Sequence, residues 1–466
     1  MGASFLPPIG RDSCSVCLTA THCAQPTAIK CLMRNLILAT ILLATPVRSE
    51  PDYAAAIRAD YDASLGALFE HFHRNPELSF KEVNTAARMA EELRAVPGMV
   101  ITENVGGTGV VGVLKNGPGK TILLRADMDG LPVEEKTGLP YASTARQVGV
   151  DGVESPVMHA CGHDTHITGL IATARRIAAL KDRWSGTLVF VVQPAEERLG
   201  GAKAMIADGL YTRFPKPDYA LGWHVVAGIR TGLLTGSDGV QYSSADSVDI
   251  RVNGVATHGA APHTGKDPVY IASQMVQAFQ GIIGRERPPL EAGLITVGAF
   301  HGGTKHNIIA DHADLQVTVR SNGQKTRDLL IAAIERTAMG IAAANGAPPP
   351  VVKVTESTPV TVNDHALAQR IKSAFVRELG AAAVTPWEQV MMGAEDFAFY
   401  VNTEHKVPGF FWSVGGTPPA DLEAEKAGGP PVADHHSGLF KIDGKAAVVT
   451  GATSMTAAVL ELLGSR

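Results

Sequence analysis

At 466 residues the chain exceeds one ordinary hydrophobic core, so two folded units are expected. A hydrophobic fraction of 45% fits a soluble globular protein. A net charge of -5, with no run of like charges, excludes the basic field that a nucleic-acid partner requires.

The first fifty residues differ in kind from the rest. Met33-Arg34-Asn35 leads into an apolar run over 36–44 and then Thr45-Pro46-Val47-Arg48-Ser49, which is the basic start, short apolar core and small-residue exit of a secretory signal. Residues 1–32 read as an upstream extension with Met33 the true start, and 33–49 as the signal peptide. The expected mature protein is exported and periplasmic, with no membrane attachment after cleavage, because the apolar run is too short to span a bilayer comfortably. Cys14, Cys17, Cys23 and Cys31 all precede the signal, so the mature chain keeps one thiol, Cys161. An unoccupied thiol is a liability in an exported protein, and metal ligation would occupy it.

From residue 53 helical and strand patterns alternate. Helical spacing runs over 53–73 and 81–96, while 121–126 and 186–192 are near-continuous apolar runs, as expected of strands covered on both faces. Between 241 and 355 the order becomes β-α-β-β-α-β: strand 247–252, helix 268–285, strands 294–300 and 313–319, helix 326–344, strand 351–355. Helices and apolar strands then resume, ending in the alanine-rich helix 444–463. The fold class expected is α/β: a catalytic domain with a mostly parallel central sheet flanked by helices, in parts 50–240 and 356–466, interrupted by a smaller βαββαβ sandwich at 241–355.

Polar groups collect where the strands end: Asp127-Met128-Asp129, Cys161 with His163, Glu196-Glu197, His224, and His435-His436. In open α/β sheets ligands gather at the carboxyl ends of strands. Cys161 and His163 converge on one cation only if the chain turns sharply, which Gly162 permits. Each signal alone also has a plainer explanation, since a buried thiol, a satisfied core histidine or a solvated glutamate pair is common. Their joint placement favours a metal hydrolase. Asp127 and Asp129 suit outer positions, orienting a metal-bound histidine or closing a turn. His159, Asp164 and His166 are assigned structural roles.

Four stretches in order, Arg125-Ala126-Asp127-Met128-Asp129-Gly130-Leu131-Pro132, Met158-His159-Ala160-Cys161-Gly162-His163-Asp164, Gln193-Pro194-Ala195-Glu196-Glu197 and Met392-Gly393-Ala394-Glu395-Asp396-Phe397, resemble the M20 metallopeptidase family in its amidohydrolase branch. That branch includes hippurate hydrolases, N-acyl-amino-acid amidohydrolases and plant auxin-conjugate hydrolases. The resemblance implies two divalent metal ions, Mn2+ or Zn2+, held by Cys161, His163, Glu197, His224 and His436. His436 is preferred to His435 because His436-Ser437-Gly438-Leu439-Phe440 fits the family pattern. It assigns proton transfer to Glu196, and makes His258 of the insert an imidazole that reaches a partner subunit's site, where it would stabilise an oxyanion. Asn307 and Arg320 match substrate-binding positions, and an arginine fork suits a carboxylate. Ala310 stands where the family usually has proline, which weakens the match of the loop holding Asn307.

The expected activity is hydrolysis of the amide bond in small N-acyl amino acids by metal-activated water with Glu196 as general base, in a homodimer formed through the insert. Two other readings share the fold: a dipeptidase or aminopeptidase, which needs an acidic group to meet a free amine, and a non-catalytic acyl-amino-acid binding protein. A thiol redox protein would lack a resolving cysteine.

Overall fold

The computed structural model describes residues 52–401 and 405–464; the expected extension and signal peptide lie outside them. The large sheet contains strands β1 (Met99–Val105), β2 (Gly109–Asn116), β3 (Thr121–Asp127), β4 (Gly186–Gln193), β5 (Tyr219–Arg230) and β6 (Leu234–Thr235). The insert contributes β7 (Ser244–Asn253), β8 (Gly293–Gly302), β9 (His312–Ser321) and β10 (Val351–Thr358), after which β11 (Val384–Thr385) and β12 (Gly409–Thr417) return to the large sheet. Its order is β1-β2-β4-β3-β5-β12-β6-β11. The central pairs β4·β3, β3·β5 and β5·β12 are parallel, whereas β1·β2, β2·β4 and β12·β6 are antiparallel, so the sheet is mixed at its flanks.

The central strands are buried on both faces because helices cover each side. Helix α1 (His163–Ala179) packs on one face beside α4 (Gly444–Leu463). Helix α4 is long and apolar enough to cross a membrane, with mean hydropathy 1.6, yet 83% of that window is buried inside the protein. It is therefore a core helix here. The segment expected as one helix over 53–73 forms Tyr53–Asp60 and Gly66–Arg74 joined by a π-helical turn, Tyr61–Leu65.

The insert is built as the spacing suggests. Its sheet runs β8-β9-β7-β10, antiparallel throughout, with α2 (Pro268–Arg285) and α3 (Gln324–Ala344) packed on one face. Alternating burial along β9 follows from that one-sided cover. Val248, Ile250, Phe279, Leu315 and Leu330 belong to a hydrophobic cluster of its own.

Behind the site, His73 at the end of Gly66–Arg74 bridges two carboxylates. Its Nδ1 lies 2.7 Å from Asp164 Oδ2 and its Nε2 3.1 Å from Glu135 Oε1. This ties two chain segments, those of His73 and Glu135, to the first turn of α1. Burial alone would lower the imidazole's pKa, but hydrogen bonds and charges from Asp164 and Glu135 outweigh it and raise the value from 6.5 to about 9. The bound proton stabilises the fold fully below the unfolded value and that gain disappears as pH rises through the folded one. His73→Gln is therefore expected to lose roughly 3 kcal/mol of unfolding free energy relative to wild type at pH 6, a gap that narrows steadily toward pH 10. Urea unfolding across that range checks it; a gap independent of pH would contradict the charged bridge.

Candidate metal centre and catalytic cleft

The site forms at the carboxyl ends of the parallel strands. Asp127 ends β3 opposite Gln193 at the end of β4. After β4 the chain makes a tight turn, Glu196–Arg198, flanked by Ala195 and Leu199 in left-handed conformation at φ 49° and 50°. Non-glycine residues there are strained and are retained when surroundings over-determine them. Asp129 does this: its Oδ1 accepts from the Glu196 N–H and its Oδ2 from the Glu197 N–H, each at 3.1 Å, while Ser79 Oγ donates to Oδ2 at 2.6 Å. Glu82 Oε1 takes the Ala195 N–H at 2.8 Å.

Gly162 has φ 82°, and a Cβ there would lie 2.4 Å from Val225 Cγ1. The turn it allows brings Cys161 and His163 to the same place. Ligand atoms of Cys161, His163 and Glu197 all lie within 4.8 Å of one another, as do those of Asp127, His163, His166 and His224. Cys161 Sγ is 3.4 Å from His224 Nε2, and Glu197 Oε2 is 3.4 Å from His436 Nε2. The five expected ligands are thus brought together.

Hydrogen bonding separates donors that are free from those that are used. His224 Nδ1 donates to the Val225 carbonyl at 2.5 Å, which leaves Nε2 unprotonated and facing Cys161. His166 donates from Nδ1 to Asp127 Oδ1 at 2.5 Å and accepts the Val225 N–H on Nε2 at 2.9 Å, so both nitrogens are committed and it is no ligand despite its position. His435 accepts the Ala227 N–H on Nε2 at 3.1 Å and turns Nδ1 toward Cys161 Sγ at 3.6 Å. It serves as a donor to the sulfur. Sequence reasoning passed over this contact, although the doubled histidine was its signal.

These residues suit a cation on two grounds. Neither ring nitrogen of His163 has an aligned hydrogen-bond partner, and neither does Glu197 Oε1, although these atoms are buried. The electrostatics also ask for positive charge. Burial and the nearby Glu197 and Glu196 carboxylates push the Cys161 thiol well up. Burial raises Glu197 to about 7. For His163, burial would lower the pKa, but Asp127 and Asp129 hold it at about 10. A sulfur, nitrogen and carboxylate set suits first-row divalent metals.

Glu196 is buried, with Oε2 4.0 Å from His163 Nε2. Burial first, then the carboxylates of Glu395, Glu197 and Asp396, raise its pKa well above the usual range. Beneath it lies a group the sequence reading quoted without a role: Arg125 bridges Asp127, Glu395 and Asp396.

A cavity of about 1130 Å³ opens over this centre, lined by Cys161, Glu196, Glu197, His224, His436 and, from the insert, Arg320. Arg320 has no ion-pair partner among the described residues; its Nε donates to Thr318 Oγ1 at 3.3 Å. His258 and Asn307 do not line the cavity. They lie together on the insert, where the Gly259 N–H donates to the Asn307 carbonyl at 2.8 Å and Asn307 Oδ1 is buried without a partner.

Residues 123–427 match peptidase family M20/M25/M40. The chain is 39% identical over 352 residues to the hippurate hydrolase of Campylobacter jejuni, covering 73% of this chain and 86% of that one. It is 33% identical over 351 residues to the N-acetyl-L-cysteine deacetylase of Bacillus subtilis, covering 75% and 80%. Among solved structures, the Bacillus subtilis YXEP protein, described as a dinuclear metal-binding peptidase of the M20 family, matches with TM-score 0.69 and 27% identity over 87% of this chain and 98% of that one.

Proposed function

The chain belongs to peptidase family M20/M25/M40, and from that premise we propose that it cleaves the amide bond of small N-acyl amino acids in a metal-dependent reaction. The observation that carries this reading is the pairing, in one cavity, of the Glu196 carboxylate beside the five donor residues with an arginine, Arg320, that lacks a carboxylate partner. An arginine so placed is suited to the free carboxylate of an amino acid. The hippurate hydrolase and N-acetyl-L-cysteine deacetylase relatives bear the names of such activities.

Cys161, His163, Glu197, His224 and His436 would hold two divalent ions, Mn2+ or Zn2+, whose chemistry is to lower the pKa of water toward neutrality and polarise the amide carbonyl. Glu196 takes the proton of the attacking water and returns it to the departing amine. Asp127 fixes His166, and through it the backbone beside His224; Asp129 holds the turn that separates Glu196 from Glu197. His435 steadies the Cys161 sulfur. Arg320 orients the substrate by its carboxylate.

Homodimerisation through the insert belongs to the same proposal. His258 is exposed, and Asn307 beside it carries an orphaned acceptor, which suits a surface completed by a second copy whose site His258 would enter. Export by the 33–49 segment completes it. A peptidase reading has one observation in its favour: Glu388, Glu425 and Asp434 line the cavity and offer carboxylates to a free amine.

Release of free amino acid from N-acetyl, N-benzoyl and indoleacetyl amino acids and from dipeptides, with chelator and with Mn2+ or Zn2+ restored, tests the proposal. Turnover of the N-acyl compounds is expected to vanish with chelator and return with metal, with dipeptides turned over far more slowly. Metal-dependent cleavage confined to dipeptides would transfer the function to the peptidase reading.

A further inference from the structure

The cavity has a second wall that the chemistry above does not use. Between β11 and the short helix Ala398–Val401 the chain runs without helix or strand, and there Val390 and Met391 are 85% and 65% exposed while lining the same cavity as Glu196. Two adjacent large apolar side chains left open to water inside a catalytic cavity mark a surface that a ligand covers.

Their place along the cavity follows from a closed ring of hydrogen bonds. Ser243 Oγ donates to Asn322 Oδ1 at 2.6 Å, Asn322 Nδ2 donates to Gln389 Oε1 at 2.7 Å, and Gln389 Nε2 donates to Ser243 Oγ at 3.1 Å. The Ser243 N–H also reaches the Gly393 carbonyl at 2.8 Å, so the loop is pinned on both sides of Val390 and Met391. Asn322 lies two residues beyond Arg320 on the chain leaving β9. Gln389 therefore sets its neighbours at the end of the cavity where Arg320 stands.

We propose that Val390 and Met391 form the binding surface for the amino-acid side chain of the substrate, so that the preferred substrates are N-acyl derivatives of amino acids with large apolar side chains. This rests on the amidohydrolase reading above. When Arg320 holds the carboxylate, the side chain borne by the same carbon is the substrate group nearest to that end, whereas the acyl group lies beyond the scissile amide toward Glu196. Gln389 also borders the cavity, but its amide is engaged with Asn322 and Ser243, so it acts as a positioning residue that holds the loop.

The test compares kcat/KM for N-acetyl derivatives of leucine, phenylalanine, glycine and aspartate, and for N-acetyl and N-benzoyl leucine, in wild type, Val390→Ser/Met391→Ser and Gln389→Ala. Wild type is expected to favour leucine and phenylalanine over glycine by tenfold or more, the scale set by even one methylene in a hydrophobic pocket, about 10- to 200-fold. The double variant is expected to lower that ratio about tenfold, and Gln389→Ala to lower it less, with the same thermal midpoint in all three proteins. An unchanged leucine-to-glycine ratio, or a change confined to the benzoyl-to-acetyl ratio, overturns the assignment while metal-dependent turnover of any N-acyl amino acid keeps the amidohydrolase reading. Absence of turnover on every N-acyl amino acid overturns both.

Discussion

Glu196→Gln is expected to lower kcat by about three orders of magnitude while bound metal stays at the wild-type level. Positioned general acid–base groups contribute roughly 10²- to 10⁴-fold, and glutamine keeps the shape of the side chain while losing its capacity to take a proton. Metal is retained because the donor set does not include Glu196, and because the turn presenting it is held by backbone bonds to Asp129 that the substitution leaves intact. Without metal, burial and the surrounding Glu395, Glu197 and Asp396 carboxylates disfavour the charged form of Glu196, so these surroundings accept a neutral amide readily, whereas bound cations would favour the carboxylate that takes the proton. Turnover and metal content measured on one preparation decide the matter. A decline of only a few-fold would remove Glu196 from the proton transfer, and loss of metal would make it a ligand.

How much of this centre was legible in the sequence depends on how local each signal is. Cys161, Gly162 and His163 stand within three positions, and Asp127, Glu196 and His224 follow or end apolar runs, so the rule that ligands collect at strand ends reaches them without coordinates. The βαββαβ insert was equally plain, because one-sided burial imposes a period of two on its strands. Pairings between distant segments were not. His73 meets Asp164 across 91 positions and Glu135 across 62, and nothing in the neighbourhood of any of the three announces the others. His435 is a case of partial legibility: the doublet was visible, but which imidazole faces out and which turns toward the sulfur depends on the backbone at His436, with φ 64°. Strand β1 went unremarked because it is a half-exposed edge segment without a continuous apolar run, and β2, although largely buried between β1 and β4, because Gly109 and Gly112 interrupt its apolar residues. Arg125 left one trace, a charged residue inside the apolar run of β3, and burial of arginine is rare unless it is paired.

That pairing makes Arg125→Met the substitution with the largest expected effect on stability, about 3–5 kcal/mol, the usual cost of removing one partner from a buried ionic group. The guanidinium donates from Nε to Gln193 Oε1 at 2.9 Å, from Nη1 to Asp127 Oδ2 and Glu395 Oε2 at 2.8 and 3.2 Å, and from Nη2 to Glu395 Oε1 and Asp396 Oδ1 at 2.7 and 3.1 Å. All five of its N–H groups are occupied. Methionine has nearly the length of the arginine stem but leaves three carboxylates without their cation. Even with Arg125 in place the balance is narrow, since burial lifts Asp396 to about 8 against the pull of the guanidinium. Without it the carboxyls would hold their protons still more firmly in the folded state. A carboxyl whose folded pKa lies above its unfolded value is not penalised below the unfolded value and is penalised increasingly as pH climbs from there to the folded one. The deficit of Arg125→Met is therefore expected to be larger at pH 8 than at pH 5, and adding Glu395→Gln and Asp396→Asn should recover part of it, because neutral amides need no counter-charge. Urea unfolding of the metal-free proteins at both pH values measures this. A deficit below about 1 kcal/mol would be that of an exposed ion pair, and would mean that the centre is positioned by packing rather than by this arginine.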